Sequence, residues 1–284
     1  MFDQKAPLIF ALASLLCLIP APASCASVKL TEGCAYGANA LQKLDIYSDS
    51  EAKVNKRPVV IYIHGGGFVS GDRISSVGSM PQFFNGNGYI FVSIDYRLSP
   101  QYRYPAHVQD LARAIAWVKA HIGAYGGNGE KIFLLGHSAG AQMAALVTSD
   151  EQFLRKEGTG INAVSGVVLL DGGAYDVTAS LLSKSERPVN SQAFSNNPAV
   201  WRQASPMSHV KAGKHMPPYL IFYVAGTRQG AGQSIKLSRL LEHSHVPVIL
   251  KKIDHKNHRT LNYDLGRPDD WQKKLVIDFL QAHD

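Results

Sequence analysis

The pentapeptide Gly136-His137-Ser138-Ala139-Gly140 joins an apolar run at residues 131–135 to a stretch at 141–148 with the composition of a helix. A Gly-x-Ser-x-Gly turn in that setting thrusts its serine out at the end of a strand, beside a helix N-terminus suited to a developing anion. The glycines are expected to supply the sharp bend. The pentapeptide alone recurs by chance, so its surroundings decide what it means.

Those surroundings alternate strand and helix. Residues 41–47 alternate apolar and polar side chains, and residues 59–63 and 90–96 are buried β-branched runs. The first two of these fit adjoining strands. From Ala106 onward, Leu111, Ile115, Val118 and Ile122 recur at gaps of four, three and four, which places them on one helix face before the glycines at 126, 127 and 129 stop it. Strand patterns return at 165–171, 219–225 and 246–253, and helix patterns at 234–243 and 269–282. Alternation of this kind predicts an α/β fold, with a mostly parallel central sheet and helices on both faces. Between 172 and 216 the pattern breaks into Ser, Asn, Pro and isolated apolar residues, read as an insertion over the strand ends that forms a lid or pocket wall.

With 284 residues, 45% hydrophobic and 18% charged, the chain has apolar material for one domain with a substantial core. The net charge of +7 comes from scattered Lys and Arg residues without a basic run or stripe. A solvated basic surface is expected, with no nucleic-acid partner, because no aromatic residues interleave with a basic cluster. Residues 1–26 read as a secretory signal: Lys5 precedes an apolar run at 6–19, and Ser24 and Ala26 permit cleavage after Ala26. That run is too short to span a bilayer comfortably. The expectation is an exported domain over 27–284, with lipoprotein anchoring through Cys25 as an alternative. Cleavage would leave Cys34 as the one cysteine, so no internal disulfide could support the fold.

A second glycine-rich motif, His64-Gly65-Gly66-Gly67-Phe68, stands where the 59–63 run ends. Its glycines allow backbone N–H groups to approach a reacting carbonyl and, with that of Ala139, to form an oxyanion hole. A base for Ser138 must come late in the chain, in the order serine, acid, histidine. Both His255 and His258 qualify by position, and His258 is the choice. His64 precedes the serine and is assigned to holding its loop. A metal held by Asp254 and His258 is the competing reading, but no further ligand motif supports it.

These motifs resemble the α/β-hydrolase superfamily, and within it the hormone-sensitive-lipase-like and feruloyl-esterase-like carboxylesterases. The resemblance rests on Leu44-Asp45-Ile46-Tyr47, the 64–68 motif, Asp95-Tyr96-Arg97-Leu98-Ser99-Pro100, Tyr104-Pro105-Ala106 with Asp110, the elbow, and Asn257-His258-Arg259-Thr260-Leu261-Asn262. It implies hydrolysis of carboxylic esters, short-chain or aromatic in the acyl part, through an acyl-serine intermediate without metal or organic cofactor. By position, Ser138 resembles the nucleophile, His258 the base, and Gly66, Gly67 and Ala139 the oxyanion donors. Asp95, Tyr96 and Arg97 would brace the oxyanion loop.

The departure lies at the acid. The family's carboxylate normally follows the strand at 219–225, yet here Gly226-Thr227-Arg228-Gln229 follows, and 226–241 contains no Asp or Glu. Asp171, at the end of the preceding strand, keeps the order Ser138, Asp171, His258; its other reading is a carboxylate that caps or braces the insertion. Asp176 and Asp254 are further candidates, and Gln229 could orient His258 as a neutral substitute. An amide hydrolase of the arylformamidase type and a non-catalytic binding module of the same fold are the alternative functions.

Overall fold

The computed structural model describes residues 28–49, 56–183, 187–225 and 228–284, and of residues 187–189, 228 and 229 the backbone only. The expected signal segment at 1–26 lies outside the described residues. Eight strands form a single sheet: β1 (Val28–Ala35), β2 (Lys43–Asp49), β3 (Arg57–Ile63), β4 (Ile90–Ile94), β5 (Gly127–His137), β6 (Val164–Leu170), β7 (Tyr219–Val224) and β8 (Val248–Ile253). Their order is β1-β2-β4-β3-β5-β6-β7-β8. β1 and β2 run antiparallel to their neighbours, and the rest of the sheet is parallel.

Two expectations are corrected here. The strands at 41–47 and 59–63 are not neighbours, because β4 lies between them and pairs Leu44 with Ile94. The chain leaves one lane open between the strands at 43–49 and 57–63, the crossover after the latter returns β4 into it, and spacing along the sequence does not reveal which lane a strand takes. The edge strand β1 was not expected at all. Its sequence, VKLTEGCA, shows little apolar alternation because the strand lies at the edge of the sheet and none of its side chains is fully buried.

The sheet divides its side chains by strand periodicity. On β5, Ile132 and Leu134 enter one apolar cluster, while Phe133 and Leu135 enter the other; β6 divides Val167 and Leu169 from Val168 and Leu170. Both faces must therefore be covered. The first face receives α2 (Ala106–His121) through Leu111, Ile115 and Val118, and α3 (Ala139–Ser149) through Ala141, Ala144 and Ala145. α1 (Met80–Gly86) covers the second face with Met80 and Phe84, joined there by Val276, Phe279 and Leu280 of the C-terminal helix, Gln272–Ala282. Full burial of each such Leu, Ile or Phe contributes about 1.5–3 kcal/mol, which explains how a core without a disulfide can hold.

Further helices complete the covering layers: α4 (Gln152–Lys156), then the short α5 (Val177–Leu182), α6 (Arg187–Phe194) and α7 (Pro198–Ala204) between β6 and β7, then α8 (Arg228–His243) and α9 (Thr260–Tyr263), with α10 the C-terminal helix. The region expected to be an irregular insertion is thus helical. Short caps explain why a 3.6-residue period was hard to read: Asp176 caps α5 through Ala179 N–H at 3.1 Å, and Asn197 caps α7 through Ala199 N–H at 2.9 Å. α6 leans on the body of the domain, where Phe194 meets Phe68 edge-on at 5.0 Å. Among the described residues no helix is long and apolar enough to cross a membrane.

Candidate active site

Parallel strands end at one edge of the sheet, and that edge collects the chemistry. His64 follows β3, Asp95 follows β4, Ser138 follows β5, Asp171 follows β6, and His258 lies five residues beyond β8.

Ser138 occupies φ 54°, ψ −113°, a conformation costly for a side chain with a Cβ. The bend is therefore carried by the serine itself. Neither flanking glycine is in the left-handed region. Their requirement is space: a Cβ on Gly140 would lie 2.1 Å from the carbonyl oxygen of Ile63. The sequence reading, in which the glycines make the turn, is corrected accordingly. Ser138 N–H donates to Leu170 O at 3.0 Å, and Ser138 O accepts from Ala141 and Gln142, so the strained residue is tied to β6 and to the first turn of α3.

The 64–68 loop lies against this elbow. A Cβ at Gly65 would stand 3.1 Å from Ser138 Cβ and 2.7 Å from His137 Nδ1. Gly66 sits at φ +114°, and its carbonyl accepts from Val69 and Ser70, while a Cβ there would strike Ser70 O at 2.0 Å. Gly67 follows at φ 62°, and Ala139 opens α3. Gly66 and Gly67 thus follow directly on the glycine that abuts Ser138, and Ala139 is the serine's chain neighbour.

Buried rings and charges hold that shape. His64 stacks on Tyr96 with centroids 4.3 Å apart, its Nδ1–H donates to Gly65 O at 2.7 Å, and Tyr96 O–H donates to His64 O at 3.0 Å. Burial lowers the His64 pKa, which keeps the ring neutral inside the loop. Arg73 then ties Asp95 and Asp45 together at 2.6 and 2.7 Å. Arg97 grips Asp110 through two guanidinium nitrogens, and Gln42 donates to the same carboxylate at 2.6 Å. Asp95 and Tyr96 therefore brace the loop, as the resemblance implied, whereas Arg97 braces the chain at Asp110. Arg73 was missed, for it stands alone in an irregular loop and only folding brings it between two carboxylates.

On the other side, Asp171 Oδ2 accepts from His258 Nδ1 at 2.7 Å. Asp171 is 2% exposed and sits at φ 45°. Its N–H donates to Phe222 O at 2.9 Å, and its second oxygen, Oδ1, accepts from Val224 N–H at 3.1 Å. The carboxylate of the β6 end thus leans across the tip of β7 to reach the loop after β8. β7 contributes the Val224 N–H that holds this carboxylate.

The competing acids fall elsewhere. Asp254 is exposed and pairs with Lys252 at 2.7 Å, and Asp176 is the cap of α5. The side chain of Gln229 lies outside those described. His255 is exposed at φ 64°. Among the described residues no cluster of three metal-binding side chains occurs.

The histidine loop has anchors of its own. Lys256, nearly buried, donates to fully buried Asp270 at 2.5 Å, and Asn257 Oδ1 accepts from Arg259 and Thr260 N–H at 3.0 and 2.9 Å. His137 Nε2 lies 2.9 Å from the carbonyl oxygen of His258, and the two rings meet at 4.7 Å. The imidazole that receives Asp171 is therefore beside the residue that immediately precedes Ser138. Together these contacts pair an imidazole with a buried carboxylate at the sheet edge that also carries Ser138.

Known proteins share this frame. The BD-FAE family model matches residues 44–229, well over half of the chain and inclusive of Gly66, Gly67, Ser138 and Asp171. The chain belongs to the BD-FAE family. The match ends before His258, whose contact with Asp171 comes from the structure of this BD-FAE chain. Esterase LipC of Mycobacterium tuberculosis is 31% identical over 202 residues, 66% of this chain and 49% of that protein. The probable carboxylic ester hydrolase LipM of the same organism is 30% identical over 213 residues, 71% of this chain and 49% of that protein. The chain spans about half the length of these curated relatives. In fold it resembles esterase B from Lactobacillus rhamnosis, with a TM-score of 0.72 at 20% identity over 90% of this chain and 86% of that one. The hyperthermophilic esterase from Pyrobaculum calidifontis gives 0.70 at 23%, over 90% and 84%. The architecture is the α/β-hydrolase fold.

Proposed function

We propose that this protein is a serine hydrolase of carboxylic esters, and the 2.7 Å contact between His258 Nδ1 and buried Asp171 is the observation that carries the reading. A carboxylate on Nδ1 fixes the tautomer that leaves Nε2 free to accept a proton, and it stabilises the imidazolium that results. Ser138 Oγ attacks the ester carbonyl as His258 takes its proton. The oxyanion is received by the N–H groups of Gly66, Gly67 and Ala139, worth about 3 kcal/mol for each donor. His258 then returns the proton to the leaving alkoxide, and the alcohol departs from an acyl-serine. Water, deprotonated by the same imidazole, attacks that acyl group and releases the acid and the free serine.

The relatives named esterase and carboxylic ester hydrolase support this reading. So does the strain concentrated at Ser138 and Asp171, both held at positive φ at the same edge of the sheet. Short or aromatic acyl groups are proposed as substrates, since buried Phe68 and Phe194 fill the space beside the 64–68 loop. p-Nitrophenyl acetate and a fluorophosphonate probe test the function together. The wild-type chain should turn over the ester and take the label, and Ser138→Ala should lose both, with turnover down about 10⁵-fold or more. A wild type inert to both reagents, or a Ser138→Ala variant that labels as well as wild type, overturns the reading.

A further inference from the structure

The residue between Gly136 and Ser138 is the x of the elbow motif, and chemistry alone would allow almost any side chain there. Here it is His137, buried at the end of β5. Its Nε2 is 2.9 Å from the carbonyl oxygen of His258, 121 residues away. A carbonyl can only accept, so Nε2 carries the hydrogen and Nδ1 is the bare nitrogen. Nδ1 faces the oxyanion loop, where a Cβ on Gly65 would come within 2.7 Å. The ring also lies against the His258 imidazole, with centroids 4.7 Å apart and planes tilted by 39°.

This histidine therefore touches three parts of the site: the elbow it belongs to, the oxyanion loop and the base. Burial first, and then the neighbouring His258, push its pKa down to about 4, while the bond to the His258 carbonyl and the charge of Asp171 act in the opposite sense. At neutral pH it is an uncharged donor, so it holds the His258 main chain without opposing an imidazolium there. The Asp171 contact alone leaves the His258 ring free to swing about its Nδ1 bond. A second fixed point on the same residue removes that freedom.

We propose that His137 is a positioning residue for the base: its Nε2–H anchors the His258 carbonyl and its ring backs the His258 imidazole, so that the imidazole keeps Nδ1 on Asp171 while facing Ser138. The inference rests on the proposed hydrolase reading. A misplacement of about 1 Å at a catalytic group can cost about 10²-fold in rate, which sets the scale of the effect.

Three variants separate the donor from the ring. His137→Phe keeps a ring of similar size and loses the N–H, whereas His137→Gln carries an amide N–H the same number of bonds from Cα as Nε2. His137→Phe should lower kcat on p-nitrophenyl acetate about 10- to 100-fold with KM changed by less than about twofold, and His137→Gln should recover most of the loss. The downfield proton resonance of His258 Nδ1–H should exchange faster with water in His137→Phe and as in wild type in His137→Gln. A His137→Phe enzyme as fast as wild type, or a folded His137→Gln enzyme as slow as His137→Phe, overturns the proposal. If His137→Phe does not fold, His137→Asn replaces it, because its amide stops one bond short of the carbonyl; equal rates for Asn and Gln then count against the proposal. Wild-type turnover and fluorophosphonate labelling, measured alongside, show whether the hydrolase reading itself has failed.

Discussion

The loop at 64–68 and the loop at 254–259, proposed to serve the same serine, are held in opposite ways. In the first, backbone shape is dictated by close packing: a Cβ at Gly66 would meet Ser70 O at 2.0 Å, and buried His64, Tyr96 and Asp95, with the partly exposed Arg73, lock the surrounding chain. The second is largely exposed and hangs on a few point contacts, namely Asp171, His137 and the Lys256–Asp270 pair. The difference follows from their tasks. Donors for an oxyanion must be in place before charge develops, because reorganisation during the reaction would consume the stabilisation. A base that receives and returns a proton needs its ring directed, and directed bonds from side chains suffice for that. Damage to the first loop should therefore come from volume, and damage to the second from the loss of a single polar atom.

The sharpest break of this contrast is Asp171→Asn. It preserves volume and the bond from Val224 N–H, yet it removes the anion on His258 Nδ1. Turnover should fall about 10³- to 10⁴-fold with little change in the urea midpoint. Near-normal turnover would move the acid role to another residue, and a large gain on adding Gln229→Asp would place it after β7.

Gly66→Ala attacks the other loop by volume alone. Neither φ +114° nor the contact at Ser70 O tolerates a methyl group, so the donors must shift, and kcat should fall about 10²-fold. An alanine variant with unchanged kcat would show that the loop is more pliable than its packing implies.

The smallest effect concerns acid stability. His64, His107 and His137 are buried, and burial lowers the pKa of each, to about 4 for His107 and His137. The unfolded chain takes up protons on these residues as pH falls through about 6.5, and the folded chain does not. Their contribution to stability is thus intact above that pH and declines as pH falls towards 4. Urea unfolding at pH 7 and pH 5 should show the decline. In His137→Gln the loss between those two pH values should be smaller by about 2 kcal/mol, since one such titration has been removed. An equal loss in the variant would mean that His137 is protonated in the fold.

Much of the site was legible because its residues sit at fixed offsets within contiguous motifs. A glycine pentapeptide needs a strand before it and a helix after it, and both are found where periodicity put them, the strand starting four residues earlier and the helix two. The position of β4 was not legible, nor was the helical nature of 172–216, because lane choice and short capped helices leave little periodic trace. Arg73 and Lys256 carried no signal either. Each is an isolated cation whose carboxylate partner is brought to it by folding.

By itself, the sequence singled out the serine of the elbow, the glycine loop beside it and a histidine late in the chain, since these depend on local backbone geometry and chain order. Tertiary structure decided which carboxylate serves that histidine. Asp171 and His258 are separated by 87 residues, and only the side-by-side register of β6, β7 and β8 brings the end of the first within 2.7 Å of the loop after the last. The same holds for His137, a neutral letter within a motif until folding sets its Nε2 against the main chain of the base.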